Sequence, residues 1–225
     1  MLYFVTGTDT DSGKTLVSSA LLHAANGSTI GVKPIASGCE QTSQGLRNSD
    51  ALALIAQSSI KLEYSQINPV SFEPAIAPHI AANAQGVKLT AQGVVESLPL
   101  AALLSADFSL IEGAGGWRLP LGNGEFLSDS VKRLNSNNEL GVILVVGMKL
   151  GCLNHALLTQ EAVVADGLKI AGWVANQVDP NMANQQENLA SLQQIMSAPF
   201  LGYIPHLSQP SAAQAAKFIT LTNLL

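Results

Sequence analysis

Charge is what this sequence has least of. Asp, Glu, Lys and Arg make up 12% of its 225 residues, about half of the ~25% usual in soluble domains. Cysteine is nearly absent too: Cys39 and Cys152 stand alone, far apart and without metal-ligand spacing. That excludes a cysteine-based metal centre and points to a reducing compartment. Long apolar runs are missing. Runs such as Val142–Val146 are strand-sized, well short of the ~18–20 residues of a spanning helix. No basic stretch follows Met1, so no secretory signal is expected. Positive charge is scarce as well, with 11 Lys and Arg against 16 Asp and Glu and a net charge of −5. No basic cluster could track a nucleic-acid backbone, and no basic amphipathic helix suggests a membrane surface. The expectation is a cytoplasmic protein without nucleic-acid or membrane partners.

What is present is apolar. Hydrophobic residues reach 47% and the mean hydropathy is +0.27. The length fits one domain, residues 1–225, large enough to bury a core without staples. Strand-like runs at Leu2–Val5, Thr29–Val32, Phe108–Glu112, Val142–Val146, Ile170–Ala175 and Phe200–Ile204 show no polar alternation. They alternate with helical stretches at Lys14–Ala25, Ser49–Gln57, His79–Asn83, Leu89–Leu104, Asn154–Ala165 and Met182–Met196. Asn48 and Thr90 are candidate N-caps. This pattern predicts βαβ units and an α/β fold, a mostly parallel central sheet covered by helices on both faces in three layers. In such sheets ligands bind beyond the carboxyl ends of the strands.

The chemistry-bearing residues follow the strands. After the first comes Gly7-Thr8-Asp9-Thr10-Asp11-Ser12-Gly13-Lys14-Thr15. A Gly-Lys-Thr turn between an apolar strand and an amphipathic helix is the context of a P-loop. Its backbone N–H groups wrap phosphates, its lysine reaches the β/γ-phosphates and its hydroxyl sits on Mg²⁺. Five residues, rather than the usual four, separate Gly7 from Gly13. Such a site needs a further metal-side carboxylate. Glu112 ends its strand and opens Gly113-Ala114-Gly115-Gly116, where glycines permit close ligand approach. Asp50 sits at a helix start, where charge complementarity with the helix dipole already accounts for it. Lys33 ends the second strand, Pro34 stops it, and Ser37-Gly38 forms a polar loop that could face a second substrate.

Several segments then coincide in order: the P-loop, Lys33-Pro34-Ile35-Ala36-Ser37-Gly38, Arg47-Asn48-Ser49-Asp50-Ala51, Pro78-His79, Glu112–Gly116, Lys149-Leu150-Gly151-Cys152-Leu153-Asn154-His155 and Gly172-Trp173-Val174-Ala175-Asn176. Together they resemble the dethiobiotin synthetase family, P-loop enzymes of biotin biosynthesis, from Tyr3 to Pro205. The long P-loop spacing is that family's own form. The resemblance implies a P-loop NTPase-like fold and 7,8-diaminopelargonate, CO₂ and ATP as substrates, with Mg²⁺ as cofactor. It implies Lys33, Lys14 and Thr10 as catalytic residues. ATP would meet Asp11, Ser12, Gly13, Lys14, Thr15, Leu16, Asp50, Glu112, Gly113, Ala114 and Gly115. Asn176 and Gln177 would read adenine, with Pro205, His206 and Leu207 along the base and ribose. Thr15, Asp50 and Glu112 would hold the metal. The diamine would meet Thr10, Ser37 and Gly116, while Leu150, Gly151 and Asn154 bind its carboxylate across a homodimer interface.

The sequence departs from the family pattern at a few positions. Asp11 replaces a frequent Glu, Ser12 a small apolar residue and Gln177 a frequent Asp, and Arg118 stands where an uncharged residue is expected. Trp117, Trp173 and Cys152 read as packing residues. One rival, an amide ligase of the cobyrinic-acid type, needs a glutaminase domain for which 225 residues leave no space. Another is a partitioning or positioning switch ATPase. That class carries a lysine five positions before the P-loop lysine, where this chain has Asp9. An inactive nucleotide-binding paralogue is disfavoured by the retained Lys14, Thr15, Lys33, Asp50 and Glu112.

Overall fold

The computed structural model describes residues 1–222 and 224; Asn223 and Leu225, the last part of the expected domain span, lie outside the described residues. The chain opens with β1 (Leu2–Gly7), α1 (Lys14–Ala24), β2 (Thr29–Val32) and β3 (Ile35–Ser37). A hairpin, β4 (Glu40–Thr42) and β5 (Gly45–Arg47), leads into α2 (Ser49–Gln57), α3 (Tyr64–Ile67), β6 (Val70–Phe72) and α4 (Pro78–Ala84). Then come α5 (Ala91–Ser97), α6 (Leu100–Ser105), β7 (Phe108–Gly116), β8 (Pro120–Gly122), β9 (Glu125–Phe126) and α7 (Leu127–Asn135). The last part holds β10 (Leu140–Gly147), α8 (Cys152–Ala165), β11 (Ile170–Asn176), α9 (Gln185–Ile195), β12 (Phe200–Ile204) and α10 (Ala212–Ala216).

Six strands form a parallel sheet in the order β12-β11-β10-β1-β7-β2. The architecture is the expected α/β fold. Each strand feeds both faces. Leu2 and Phe4 of β1 pack into one core with Val142, Leu144 and Val146 of β10. Tyr3 and Val5 turn to the other, with Ile143 and Val145. Helices α4 to α9 cover the first face, α1 and α10 the second. A sheet covered on both sides has no polar side to display, which is why its strands are unbroken apolar runs. Both sequence-read N-caps work as such: Asn48 accepts from the Asp50 and Ala51 amides, and Thr90 from Gly93.

Several expectations need correction. The helix expected over Leu89–Leu104 is two, α5 and α6. Pro99, which lacks an amide hydrogen, sits at the junction and starts the second. Glu112 does not end its strand, because β7 runs on to Gly116 and pairs Gly116 with Gly7. Strand β2 stops at Val32, just before Lys33-Pro34, but the chain then enters β3, a partner of β6 in a small second sheet, so Ser37 is a strand residue rather than part of a loop. Helix α9 starts at Gln185, behind Asn184 in the left-handed region at φ 50°. The sequence pattern does not predict helices α3, α7 and α10 or the two hairpins.

Arg118, the out-of-place charge, has a structural partner. Asp166 at the end of α8 accepts from both Arg118 guanidinium nitrogens, at 2.6 and 3.1 Å, and from Trp117 Nε1 at 2.8 Å. This ties the chain after β7 to α8. Replacing Asp166 with Ala leaves the buried indole N–H unpaired, and a loss of about 1–3 kcal/mol is expected. Chemical denaturation checks it; a midpoint unchanged from wild type is the contrary outcome.

Candidate active site

The carboxyl ends of β1, β2 and β7 converge below the turn between β1 and α1. Gly13 lies in the left-handed region at φ 87°. A Cβ there would fall 2.0 Å from Asn176 Nδ2, so only glycine lets this turn close against β11. The Asn176 amide donates to the Ser12 carbonyl at 3.0 Å, which fixes the turn on the end of β11. The opposite limb is fixed to β10, where the Thr8 amide donates to Val145 O at 2.9 Å and Thr8 Oγ1 accepts from the Gly147 amide at 3.2 Å. The turn is thus held on both sides before helix α1 begins.

Lys14 is buried and donates to the Asp9 carbonyl at 3.1 Å, lying back across the turn. Burial pushes its pKa down, partly countered by the Glu112 charge. The Asp9 side chain accepts from the Thr10 amide at 2.8 Å and from Lys149 at 2.9 Å. The Lys149 hydrogen bond, ahead of the smaller effects around it, holds the Asp9 carboxyl below its ordinary range.

Lys33 is the centre of the arrangement. It is 5% exposed, and its Nζ lies 2.6 Å from Asp50 Oδ2 and 2.8 Å from Glu112 Oε1. The same Glu112 oxygen accepts from Thr15 Oγ1 at 2.8 Å. Glu112 is wholly buried. Burial alone would lower the Lys33 pKa, but the Glu112 and Asp50 charges outweigh it and hold the ammonium above its usual range. For Asp50, burial pushes upward and Lys33 pulls harder, so its carboxyl titrates lower than usual. Asp50, which spacing alone left as a helix-start charge, is therefore part of this cluster. Among the described residues Glu112 Oε2 has no hydrogen-bond partner.

A cleft of about 830 Å³ opens over these groups. It brings together Thr10, Asp11, Gly13, Lys14, Thr15, Lys33, Ser37, Asp50, Ala114 and Gly115. Its far wall is Ala75–Pro78, with Ala36 and Leu119. Of that wall the sequence singles out Pro78 alone, within Pro78-His79; Ala75–Ala77 carry no signal. Glu112 lies beneath the floor. Ser12 and Leu16 belong to the same turn and helix, and Gly113 and Gly116 to the strand beside it, but none of these lines the cleft.

Other expected residues also lie away from the cleft. Gln177 Oε1 accepts from the Tyr203 hydroxyl at 2.8 Å and the His206 amide at 2.9 Å. That gathers Gln177, Pro205 and His206 at the ends of β11 and β12, on the Asn176 side of the turn. Leu207 packs near them against the α1 face of the sheet. Leu150, Gly151 and Asn154 open α8 and are exposed, Leu150 at 94%.

A family profile described as an AAA domain matches residues 2–214. A protein of Pseudomonas aeruginosa (strain PAO1) named ATP-dependent dethiobiotin synthetase BioD is 52% identical over 225 residues, covering 99% of this chain and 97% of that one. A protein of the same name from Cellvibrio japonicus (strain Ueda107) is 53% identical over 226 residues, with 99% and 97% covered. The chain belongs to the dethiobiotin synthetase family. Solved structures share this fold. A ParA family ATPase from Chlorobium tepidum TLS superposes with a TM-score of 0.55 at 14% identity, covering 96% of this chain and 94% of that one. The Aquifex aeolicus MinC:MinD complex gives 0.54 at 11% identity, covering 98% and 87%. These likenesses concern fold alone. At the position five before Lys14, this chain carries Asp9, engaged by Lys149.

Proposed function

We propose that this chain is an ATP-dependent dethiobiotin synthetase that carboxylates and cyclises 7,8-diaminopelargonate with CO₂, releasing ADP and phosphate. The observation that carries the reading is the buried Lys33 ammonium, held by Asp50 and Glu112 at the floor of a cleft that also receives Lys14, Thr10 and Ser37.

The chemistry follows from charge. One substrate amine adds to CO₂ and loses a proton, giving a carbamate. A carbamate oxygen attacks the γ-phosphorus and ADP leaves, forming a carbamic–phosphoric anhydride. The second amine then attacks the carbonyl carbon, closes the ureido ring and expels phosphate. Each step crowds anions together, so fixed cations and N–H dipoles do most of the catalysis. Lys33, kept protonated by its two carboxylates, acts as a cation between carbamate and γ-phosphate and not as a base. Lys14 and the amides of Asp11–Leu16 cradle the triphosphate at the start of α1. Thr10, Ser37 and Gly116 orient the diamine. Among the described residues the buried Ser37 Oγ has no partner, which suits a group that bonds to substrate.

The cluster also fits Mg²⁺. A hard dication takes oxygen ligands, and the Thr15 hydroxyl, the Asp50 carboxylate and the unpartnered Glu112 Oε2 would hold it. When bound, it supplies positive charge to the phosphates. Glu112–Gly115 would flank the same phosphates. Asn176 and Gln177 would read adenine, with Pro205, His206 and Leu207 beside the base and ribose. The exposed Leu150, Gly151 and Asn154, at the start of α8, would take the substrate carboxylate of a second subunit, where helix N-terminal amides favour an anion. The chain is read as a single domain and a cytoplasmic homodimer; among the described residues no helix is long and apolar enough to cross a membrane.

Incubation with 7,8-diaminopelargonate, bicarbonate and MgATP is expected to give diamine-dependent ADP release and a ureido product by mass spectrometry. Absence of both overturns the proposal. Sedimentation at micromolar concentration should show twice the 23.4 kDa chain mass; a monomer alone would remove the shared site.

A further inference from the structure

Tyr64 lies in the short helix α3, outside the cleft lining, and no part of the proposed chemistry uses it. Its hydroxyl is nonetheless bonded in two directions. It accepts from the Asn48 amide at 2.7 Å and donates to Asn68 Oδ1 at 2.9 Å. The Asn68 amide group in turn donates to the Lys33 carbonyl at 2.7 Å. On the other side, Asn48 Oδ1 accepts from the Asp50 amide at 3.1 Å. The path closes where Lys33 Nζ meets Asp50 Oδ2 at 2.6 Å.

These contacts form a closed circuit: Lys33 main chain, Asn68, Tyr64, Asn48, Asp50 and back to the Lys33 ammonium. Every donor in it has an acceptor within the circuit. The hydroxyl has one proton, which goes to Asn68, and it receives the Asn48 amide on its oxygen. Asn48 and Asn68 are 4% and 2% exposed, so water cannot readily replace a lost bond. The Tyr64 ring is fixed as well, with the Arg47 guanidinium carbon 4.1 Å from its centroid. Burial raises the phenol pKa, which keeps the donating proton in place.

Lys33 and Asp50 come from different elements, the end of β2 and the start of α2, with the β3–β5 excursion between them. The long Lys33 side chain cannot by itself hold a fixed separation from Asp50 once substrates compete for their charges. We propose that Tyr64 is a positioning residue that sets the main-chain distance between Lys33 and Asp50, and so places the ammonium between carbamate and γ-phosphate. This rests on the role given to Lys33 above. The phenol touches no reactant and acts through the two asparagines.

Tyr64→Phe removes one oxygen and keeps the ring under Arg47, so the fold is retained. Two readouts test it. In steady-state kinetics kcat is expected to fall about tenfold or more, while the affinity for ADP, measured by calorimetry, stays within about twofold. In amide-resolved hydrogen exchange on the ligand-free protein, the Asn48 amide is expected to exchange at least about tenfold faster, with the α2 amides beyond Leu52 unchanged. A kcat within twofold of wild type overturns the proposal. So does a loss of ADP affinity as large as the loss of kcat, because that describes general loosening. Unchanged Asn48 exchange overturns it too. If the wild-type protein forms no ureido product, the proposed function fails instead, and hydrogen exchange alone decides whether the phenol holds the circuit.

Discussion

Lys33→Ala is expected to lose turnover by about 10²–10³-fold, the range for removing one preorganised charge from a developing anion, while ADP still binds within a few-fold of wild type. The two parts of this expectation have separate causes. In the proposed mechanism the nucleotide phosphates are gripped by the turn between β1 and α1, whose shape depends on Gly13, Asn176 and the Thr8 contacts to β10. None of these involves Lys33. The ammonium is instead held by Asp50 and Glu112, at the floor of the cleft that Ser37 and Thr10 also line. It can therefore act where carbamate and γ-phosphate meet without being needed to hold the nucleotide. Steady-state kinetics with a coupled ADP assay, paired with calorimetric ADP titration, checks it. Normal turnover by the variant would remove Lys33 from the mechanism, and a parallel loss of ADP affinity would make it a binding residue.

The contrast between Lys33 and Tyr64 shows what sequence could and could not reveal. The sheet was legible because burial on both faces leaves unbroken apolar runs, and the phosphate turn because Gly-Lys-Thr between strand and helix has one strong physical use. Lys33 and Glu112 were visible because each interrupts or follows a buried strand, an uncomfortable place for a charge without a task. Asp50 was not legible from spacing. Its partner Lys33 follows β2 and is separated from it in sequence by β3–β5, and an acid at a helix start already has an ordinary explanation. Tyr64 and Asn68 left no signal, since their function lies in bonds to backbone atoms distant in sequence. The helix expected across Leu89–Leu104 erred for a local reason: apolar periodicity outweighed a single proline. The α7 helix was hidden by its flanks, Gly122-Asn123-Gly124 and Asn135–Asn138, which read as loop. The far wall at Ala75–Pro78 carries no charged or reactive side chain, so only its position makes it part of the cleft.

Glu112→Ala is expected to show that the same cluster carries stability as well as chemistry. Glu112 is wholly buried and receives both Lys33 and the Thr15 hydroxyl on one oxygen. Its removal leaves a 5%-exposed ammonium with Asp50 as its remaining charged partner, and Asp50 is partly open to solvent. Breaking a buried ion pair by deleting one partner costs about 3–5 kcal/mol; the surviving Asp50 contact puts this case at the lower end, about 3 kcal/mol. Lys33→Met in the same background takes the stranded charge away and leaves an apolar side chain of similar length. The double variant should therefore regain about 2 kcal/mol or more over Glu112→Ala, a coupling that additive effects would not produce. It should regain no activity, because the cation and a carboxylate proposed for the metal are both gone. Urea unfolding of the wild type, both single variants and the double variant gives the cycle. Additive stabilities would mean that the Lys33–Glu112 contact contributes little. A double variant that turned over would show that neither residue takes part in the reaction.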